Sequence, residues 1–145
     1  MRSPCMVSGN EALQKQKIWI VFTGQTDRWW LRFLRPGFRH CFVIVNDGQG
    51  WLSLDPMLNH MEIQIHRDVP GAFDLPAWLR ERGHHIVPGR MDHTHVTPAP
   101  FSFFSCVEVV KRILGLHKLF IFTPWQLYCH LQKTNKTKGD LSWEV

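Results

Sequence analysis

Hydrophobic and polar residues alternate along the chain in a way that predicts a sheet of about five strands. The β-branched and aromatic run "KIWIVFT", Lys17 to Thr23, is typical of a buried strand. "RHCFVIV" and "GWLSLDP" flank the turn residues "NDGQG", Asn46 to Gly50, which indicates a β-hairpin. "MEIQIHR" alternates between apolar and polar positions, and "HHIVPGRM" adds one more strand.

Two helices are expected near the end of the chain, and each begins with the residues of a capping box. In "SCVE", Ser105 is the N-cap and Glu108 the third helical residue; in "TPWQ", Thr123 and Gln126 take the same places. "FDLPAWLRERG" predicts a short helix ended by glycine, and "DRWWLRFL" a short helix or turn. The proline- and threonine-rich "DHTHVTPAPFSF" is typical of a loop. The pattern predicts an α+β fold, with an antiparallel sheet packed against a helix.

Length and composition fit one globular domain. The chain has 145 residues, of which 44% are hydrophobic, and we expect a core over about 17–131 with loose segments at 1–16 and 132–145. The formal charge is +5, but the central basic residues are spread among aromatic and acidic ones, so a nucleic-acid partner is not expected. The four cysteines show no paired spacing and are expected to remain thiols in a reducing cytosol.

No segment approaches the roughly 18 apolar residues of a membrane span, and the N-terminal residues lack the apolar stretch of a signal peptide. We therefore expect cytoplasmic synthesis and no membrane span.

Cys106 stands where a reactive thiol would be placed. The capping box puts it in the first turn of its helix, beside unpaired backbone N–H groups and the positive end of the helix dipole. Both favour the thiolate over the thiol, and the same N–H groups can stabilise an oxyanion. Buried unreactive cysteines are common, so this position alone leaves a structural role open.

A histidine and a carboxylate are predicted to lie near one another in the hairpin. His40 begins the strand "HCFVIV", where it can project at the sheet edge, and the turn brings Asp55 near the start of that strand. Cys, His and an orienting carboxylate are the nucleophile, base and orienter of thiol-dependent acyl transfer. Cys41 alternates onto the opposite face from His40, so we expect its replacement by alanine to change little.

The motifs "RHCFVIVNDGQGWLSLDP", "SCVEVVKRILGL" and "TPWQLYCHL" together resemble the circularly permuted branch of the papain-like, NlpC-type superfamily, which includes the lecithin retinol acyltransferase-like proteins. In that branch the histidine strand precedes the cysteine helix. The resemblance covers roughly Lys17 to Leu131 and implies that Cys106 is the nucleophile, His40 the general base and Asp55 the third polar member. Many members carry a second histidine in the third role, so Asn46 and His60 are the alternatives.

The resemblance implies a cysteine hydrolase or acyltransferase that needs no cofactor and acts on an amide or ester of a peptide or acyl substrate. The tryptophan ahead of "LDP" and the "TPWQLY" helix also resemble small proteins of tailed phages and their proviruses. A peptide link of the bacterial cell wall would then be the substrate, with a location in the virion and other phage structural proteins as partners. The alternative is a non-catalytic structural or adaptor protein of a phage virion that keeps the papain-like scaffold.

The remaining histidines allow a competing hypothesis. His84, His85, His93 and His95 could together supply three imidazoles to a zinc ion. No acidic or cysteine ligand lies at a recognised spacing nearby, and the prolines around them indicate a loop. We therefore expect no metal site.

Overall fold

A computed structural model describes residues 16–25, 33–57, 60–92 and 105–137 of the chain. They form five strands and three helices, which confirms the expected α+β class and the antiparallel sheet. The elements in chain order are β1 (Lys17–Thr23), β2 (His40–Asn46), β3 (Trp51–Pro56), β4 (Met61–His66), α1 (Leu75–Glu81), β5 (His85–Gly89), α2 (Cys106–Leu114) and α3 (Pro124–Thr137).

The strands form one sheet in the order β4-β3-β2-β1-β5, and all neighbours are antiparallel. β1 pairs with β2 up to the first residue of β2, where Thr23 lies opposite His40. The pairing of β3 with β2 runs from Trp51 to Leu54 and ends there, opposite Val43. We call the space between His40–Phe42 of β2 and Asp55–Pro56 of β3 the notch, because side chains can enter the sheet edge there.

Each face of the sheet has its own apolar core. The alternation along β2 sends Cys41 and Val43 to the face covered by α2 and α3, where Val110 and Leu127 are fully buried. Ile44 points to the other face, which α1 covers. The sequence alternation therefore assigns the two faces of β2 correctly.

The β2–β3 hairpin is formed as expected, and its turn is held by side chains. The Asn46 Oδ1 accepts the Gly48 N–H at 2.7 Å, and the Asp47 Oδ1 accepts the N–H groups of Gln49 and Gly50 at 2.8 and 2.9 Å. Gly48 has a φ of 90°, a conformation that favours glycine. This turn fixes the register that brings the end of β3 beside the start of β2.

Both predicted helix starts are confirmed. The Ser105 Oγ accepts the Glu108 N–H at 3.2 Å at the start of α2. At α3 the capping box is complete, because the Thr123 Oγ1 accepts the Gln126 N–H at 3.2 Å and the Gln126 Oε1 accepts the Thr123 N–H at 3.1 Å. The caps fix where the first turn of each helix lies.

Several expectations fall outside the described residues. Most of "DRWWLRFL" lies in 26–32, and most of the proline- and threonine-rich segment lies in 93–104. Of the ends expected to be loose, 1–16 and 132–145, the parts 1–15 and 138–145 lie outside the described residues. Residues 132–137 belong to α3, which extends further than the sequence pattern predicts. Within the described ranges, a helix long and apolar enough to cross a membrane is not found.

A buried ion pair anchors α2. The Lys111 Nζ lies 2.9 Å from the Glu108 Oε2, with side chains only 5% and 8% exposed, and it also donates to the Ile121 carbonyl at 3.3 Å. Arg112, which is half-exposed, contacts the other carboxylate oxygen at 3.1 Å. Lys111 therefore connects the helix to the segment that leads into α3.

We predict that Lys111→Met lowers the free energy of unfolding by about 3 kcal/mol, because it leaves the buried Glu108 carboxylate without its buried partner. Arg112→Met is the matched control and should cost less than about 1 kcal/mol, since its pair is partly solvated. Denaturant unfolding of the two variants measures both values. Equal losses in the two variants would contradict the assignment of Lys111 as the principal partner.

Candidate active site

Cys106 lies in the first turn of α2, at the position the sequence predicts. The Ser105 side chain caps the helix and sets Cys106 as the first helical residue. The thiol is half-buried and packs against the core that includes Cys41. The N–H groups of Cys106 and Val107 in the first turn have no intrahelical acceptor, whereas that of Glu108 donates to the Ser105 Oγ.

His40 and Asp55 meet across the notch. Both extend to the sheet face opposite α2, and the His40 Nε2 lies 2.6 Å from the Asp55 Oδ1. A carboxylate accepts hydrogen bonds, so the Nε2 carries the proton and donates it. This leaves Nδ1 as the ring nitrogen available to the Cys106 sulfur, with which the imidazole forms a hydrogen bond. The three side chains that the sequence assigns to one site therefore lie together.

The surroundings of His40 favour its charged form. Burial acts to lower the pKa of the imidazole, but hydrogen bonds to Asp55 and Cys106, with the charges of both, outweigh it and raise the pKa from 6.5 to about 9. The side chain of His40 is 21% exposed and that of Asp55 is 32% exposed, so solvent screens the pair only in part.

The Cys106 sulfur is stabilised as an anion. A hydrogen bond from the Cys41 side chain is the largest influence, and it acts with His40 and with the Cys41 backbone N–H. Against the opposing effect of burial, these contacts lower the pKa of Cys106 from 9.0 to about 5. Both shifts favour a thiolate beside an imidazolium at neutral pH.

The contact with Cys41 corrects one expectation. Cys41 does lie on the face of β2 opposite His40, but α2 packs on that same face and brings its first turn onto Cys41. Its replacement is therefore not the neutral control that the alternation predicts.

Asn46 and His60, the two alternatives to Asp55, form hydrogen bonds with other parts of the chain. Asn46 is at the far end of β2, where its side chain donates to the Gly71 carbonyl at 2.8 Å and accepts from Gly48. His60 is exposed in the turn before β4, and its backbone carbonyl accepts the Met57 N–H at 2.9 Å. Of the three candidates, Asp55 is the one that contacts His40.

The zinc hypothesis receives no support from the residues that are described. Among them, no three His, Cys, Asp or Glu side chains are grouped as metal ligands would be. His85 stacks on the Phe38 ring, with centroids 4.6 Å apart. His93 and His95 lie outside the described residues.

An open groove of about 380 Å³ leads away from Asp55. It lies on the α1 face of the sheet, between that helix and β2–β4. Its walls are mostly apolar, including Phe42, Leu75 and Trp78, and its polar side includes Ser53 and His66, which are hydrogen-bonded to each other at 2.9 Å. Asp55 is the one member of the Cys106, His40 and Asp55 set that lines this groove.

Comparisons of the chain with protein-family models, with curated proteins and with solved structures found no match.

We predict that Asp55→Asn lowers the pKa of His40 by about 1 to 2, because it removes the negative charge that the Nε2–H faces. NMR titration of the imidazole nitrogens measures this value. Asn46→Ala and His60→Ala are the controls and should leave the His40 titration in place. An unchanged midpoint in Asp55→Asn would show that Asp55 does not orient the ring.

Proposed function

We propose that this protein is a thiol-dependent hydrolase or acyltransferase that acts on an amide or ester bond. The observation that carries the proposal is the hydrogen-bonded row Cys106–His40–Asp55, in which the sulfur is held as a thiolate and the imidazole as its charged partner. Burial alone would oppose both charges, so their presence reflects mutual stabilisation.

The fold supports the same proposal. A nucleophile at the start of a helix packed on an antiparallel sheet, with the histidine strand earlier in the chain, is what the permuted papain-like, NlpC-type resemblance implies. We therefore propose that the protein belongs to that superfamily.

In the first half of the reaction, the Cys106 thiolate attacks the carbonyl carbon and forms a C–S bond while the π electrons move to oxygen. The backbone N–H of Cys106 in the first turn of α2 stabilises that oxyanion. His40 gives the proton from its Nδ1 to the departing nitrogen or oxygen as the bond to the carbonyl carbon breaks. The product is a thioester on Cys106 and a neutral His40.

In the second half, water or an amine resolves the thioester. His40 now accepts a proton from the incoming nucleophile, which adds to the carbonyl carbon. Collapse of the tetrahedral intermediate breaks the C–S bond and restores the thiolate and the imidazolium. Throughout, Asp55 holds the ring so that Nδ1 faces the sulfur.

The substrate class is taken from the phage resemblance. A peptide link of the bacterial cell wall fits that context, in which the protein would act at the wall or in the virion.

We predict that the wild type reacts with p-nitrophenyl acetate to release nitrophenolate and to carry an acetyl group on the Cys106 peptide. Cys106→Ser should lose at least ~1,000-fold in turnover while keeping its circular dichroism spectrum, because the hydroxyl is far less acidic than the thiol. Cys129→Ser replaces another half-buried thiol and is the control. Purified peptidoglycan, assayed for newly exposed amines, then tests the cell-wall substrate.

Two outcomes would contradict the enzyme proposal. Turnover retained in Cys106→Ser would exclude Cys106 as the nucleophile. A Cys106 that resists iodoacetamide until denaturant is added would favour the non-catalytic scaffold.

We also predict a bell-shaped dependence of kcat/KM on pH. Activity should fall below about pH 5, where Cys106 takes up a proton, and above about pH 9, where His40 loses the proton needed by the leaving group. Steady-state rates with the p-nitrophenyl ester across this range check the two limits. If kcat/KM instead rose only once, near pH 9, Cys106 would be an ordinary thiol without the ion pair.

A further inference from the structure

The loop between α2 and α3 exposes three large apolar side chains that are close together in the chain. Leu119 is 55% exposed, Phe120 is 84% exposed and Phe122 is 66% exposed, and we call these three residues the apolar tip. Ile121, between the two phenylalanines, is partly buried and packs against the core. Single exposed apolar side chains are ordinary, but a contiguous group of them marks a binding surface.

The backbone around the apolar tip is fixed at three places. At the end of α2, Gly115 has a φ of 71° and its N–H donates to carbonyl groups of the last helical turn. In the middle of the loop, the Ile121 carbonyl accepts a hydrogen bond from the buried Lys111 Nζ at 3.3 Å. At the start of α3, the Gln126 Oε1 accepts the Phe122 N–H at 2.9 Å. These contacts hold the apolar tip outside the core.

The charge beside the apolar tip is positive. Lys118 directly precedes the tip, and the chain has no acidic residue between Glu108 and Asp140. Glu108 is buried in its own ion pairs on α2. Asp92 approaches the other end of the loop, where its backbone N–H donates to the Leu114 carbonyl at 3.2 Å. The loop itself therefore carries cations and apolar groups and no carboxylate.

A second segment brings a cation and another aromatic residue to the start of α3. The exposed Arg35 guanidinium lies over the Trp125 ring, 3.7 Å from its centroid. Phe33 is 87% exposed and lies two residues before Arg35, which limits the distance between their backbones to about 7 Å. Exposed aromatic side chains and cations therefore meet here from two separate parts of the chain.

We propose that the apolar tip docks this protein on the surface of a lipid bilayer that contains anionic phospholipids. Leu119, Phe120 and Phe122 enter the boundary between headgroups and acyl chains, and Lys118 and Arg35 face the lipid phosphates. This inference does not depend on the proposed function, because it uses none of the residues Cys106, His40 and Asp55.

The size of the apolar tip favours a bilayer over a protein partner. The exposed parts of its three side chains amount to roughly 400 Å², since one phenylalanine offers about 200 Å². A stable protein interface takes about 800 Å² from each partner, and lysine is depleted in such interfaces. A bilayer needs no surface of matching shape, and it offers acyl chains to the apolar side chains and anionic headgroups to the cations.

The test is co-sedimentation of the full chain with vesicles of phosphatidylcholine alone and with vesicles that also contain phosphatidylglycerol. Wild type should bind the anionic vesicles about 10-fold more strongly, because two cations face the headgroups. The double variant Phe120→Ser, Phe122→Ser should lose at least about 10-fold in binding, since it removes two inserted rings. Lys118→Gln should lose about fivefold.

The matched control is the double variant Ile63→Ser, Ile65→Ser. These two side chains are exposed to a similar extent, but they lie on β4, at one edge of the sheet. α3 lies near the other edge, where the Asn135 Nδ2 donates to the Pro88 carbonyl of β5 at 3.1 Å. The control should bind the anionic vesicles as wild type does. Circular dichroism checks that each variant is folded.

Several results would overturn the proposal. One is a wild type that does not sediment with the anionic vesicles, and another is an equal loss in the tip and β4 variants, which would show unspecific adsorption. Self-association of wild type without vesicles, abolished in the tip variant, would assign the tip to a second copy of the chain. Unchanged binding of Lys118→Gln would overturn the proposal even if the double variant failed to fold. None of these measurements uses the reactivity of Cys106, so they are independent of the proposed function.

Discussion

The hydrogen bond between His40 and Asp55 is the interaction on which the arrangement of the site depends. At 2.6 Å it fixes the proton on Nε2, and this turns the other ring nitrogen toward the Cys106 sulfur. The contact exists because the pairing of β2 with β3 ends at Val43 and Leu54. The start of β2 and the end of β3 are therefore not paired with each other, and this leaves the notch. The tight turn at Gly48 sets that register from the other end of the hairpin.

The candidate active site lies between the two apolar cores, which cover opposite faces of the sheet. α2 packs on the Cys41 face and carries the sulfur, whereas the carboxylate of Asp55 comes from the other face. The His40 imidazole, at the start of β2, contacts both the Cys106 sulfur and the Asp55 carboxylate. The Glu108–Lys111 pair anchors the helix that carries Cys106. The stability of α2 and the position of the sulfur are therefore coupled.

The sequence allowed much of this site to be predicted. Capping residues located the start of α2, and the turn residues located the hairpin, so Cys106, His40 and Asp55 followed from local rules. The contact between Cys41 and Cys106 did not, because alternation shows which face a residue takes and not which helix packs there. The sequence also left Asn46 and His60 open as alternatives to Asp55, because the place where β3 stops pairing with β2 is a property of the tertiary fold.

The central claim is that Cys106 and His40 form a thiolate–imidazolium pair at neutral pH. The most direct measurement is an NMR titration of one sample labelled at the cysteine Cβ carbons and the histidine ring nitrogens. The account predicts that Cys106 becomes charged near pH 5 and that His40 keeps its charge to about pH 9. A protonated Cys106 beside a neutral His40 at pH 7 would contradict it.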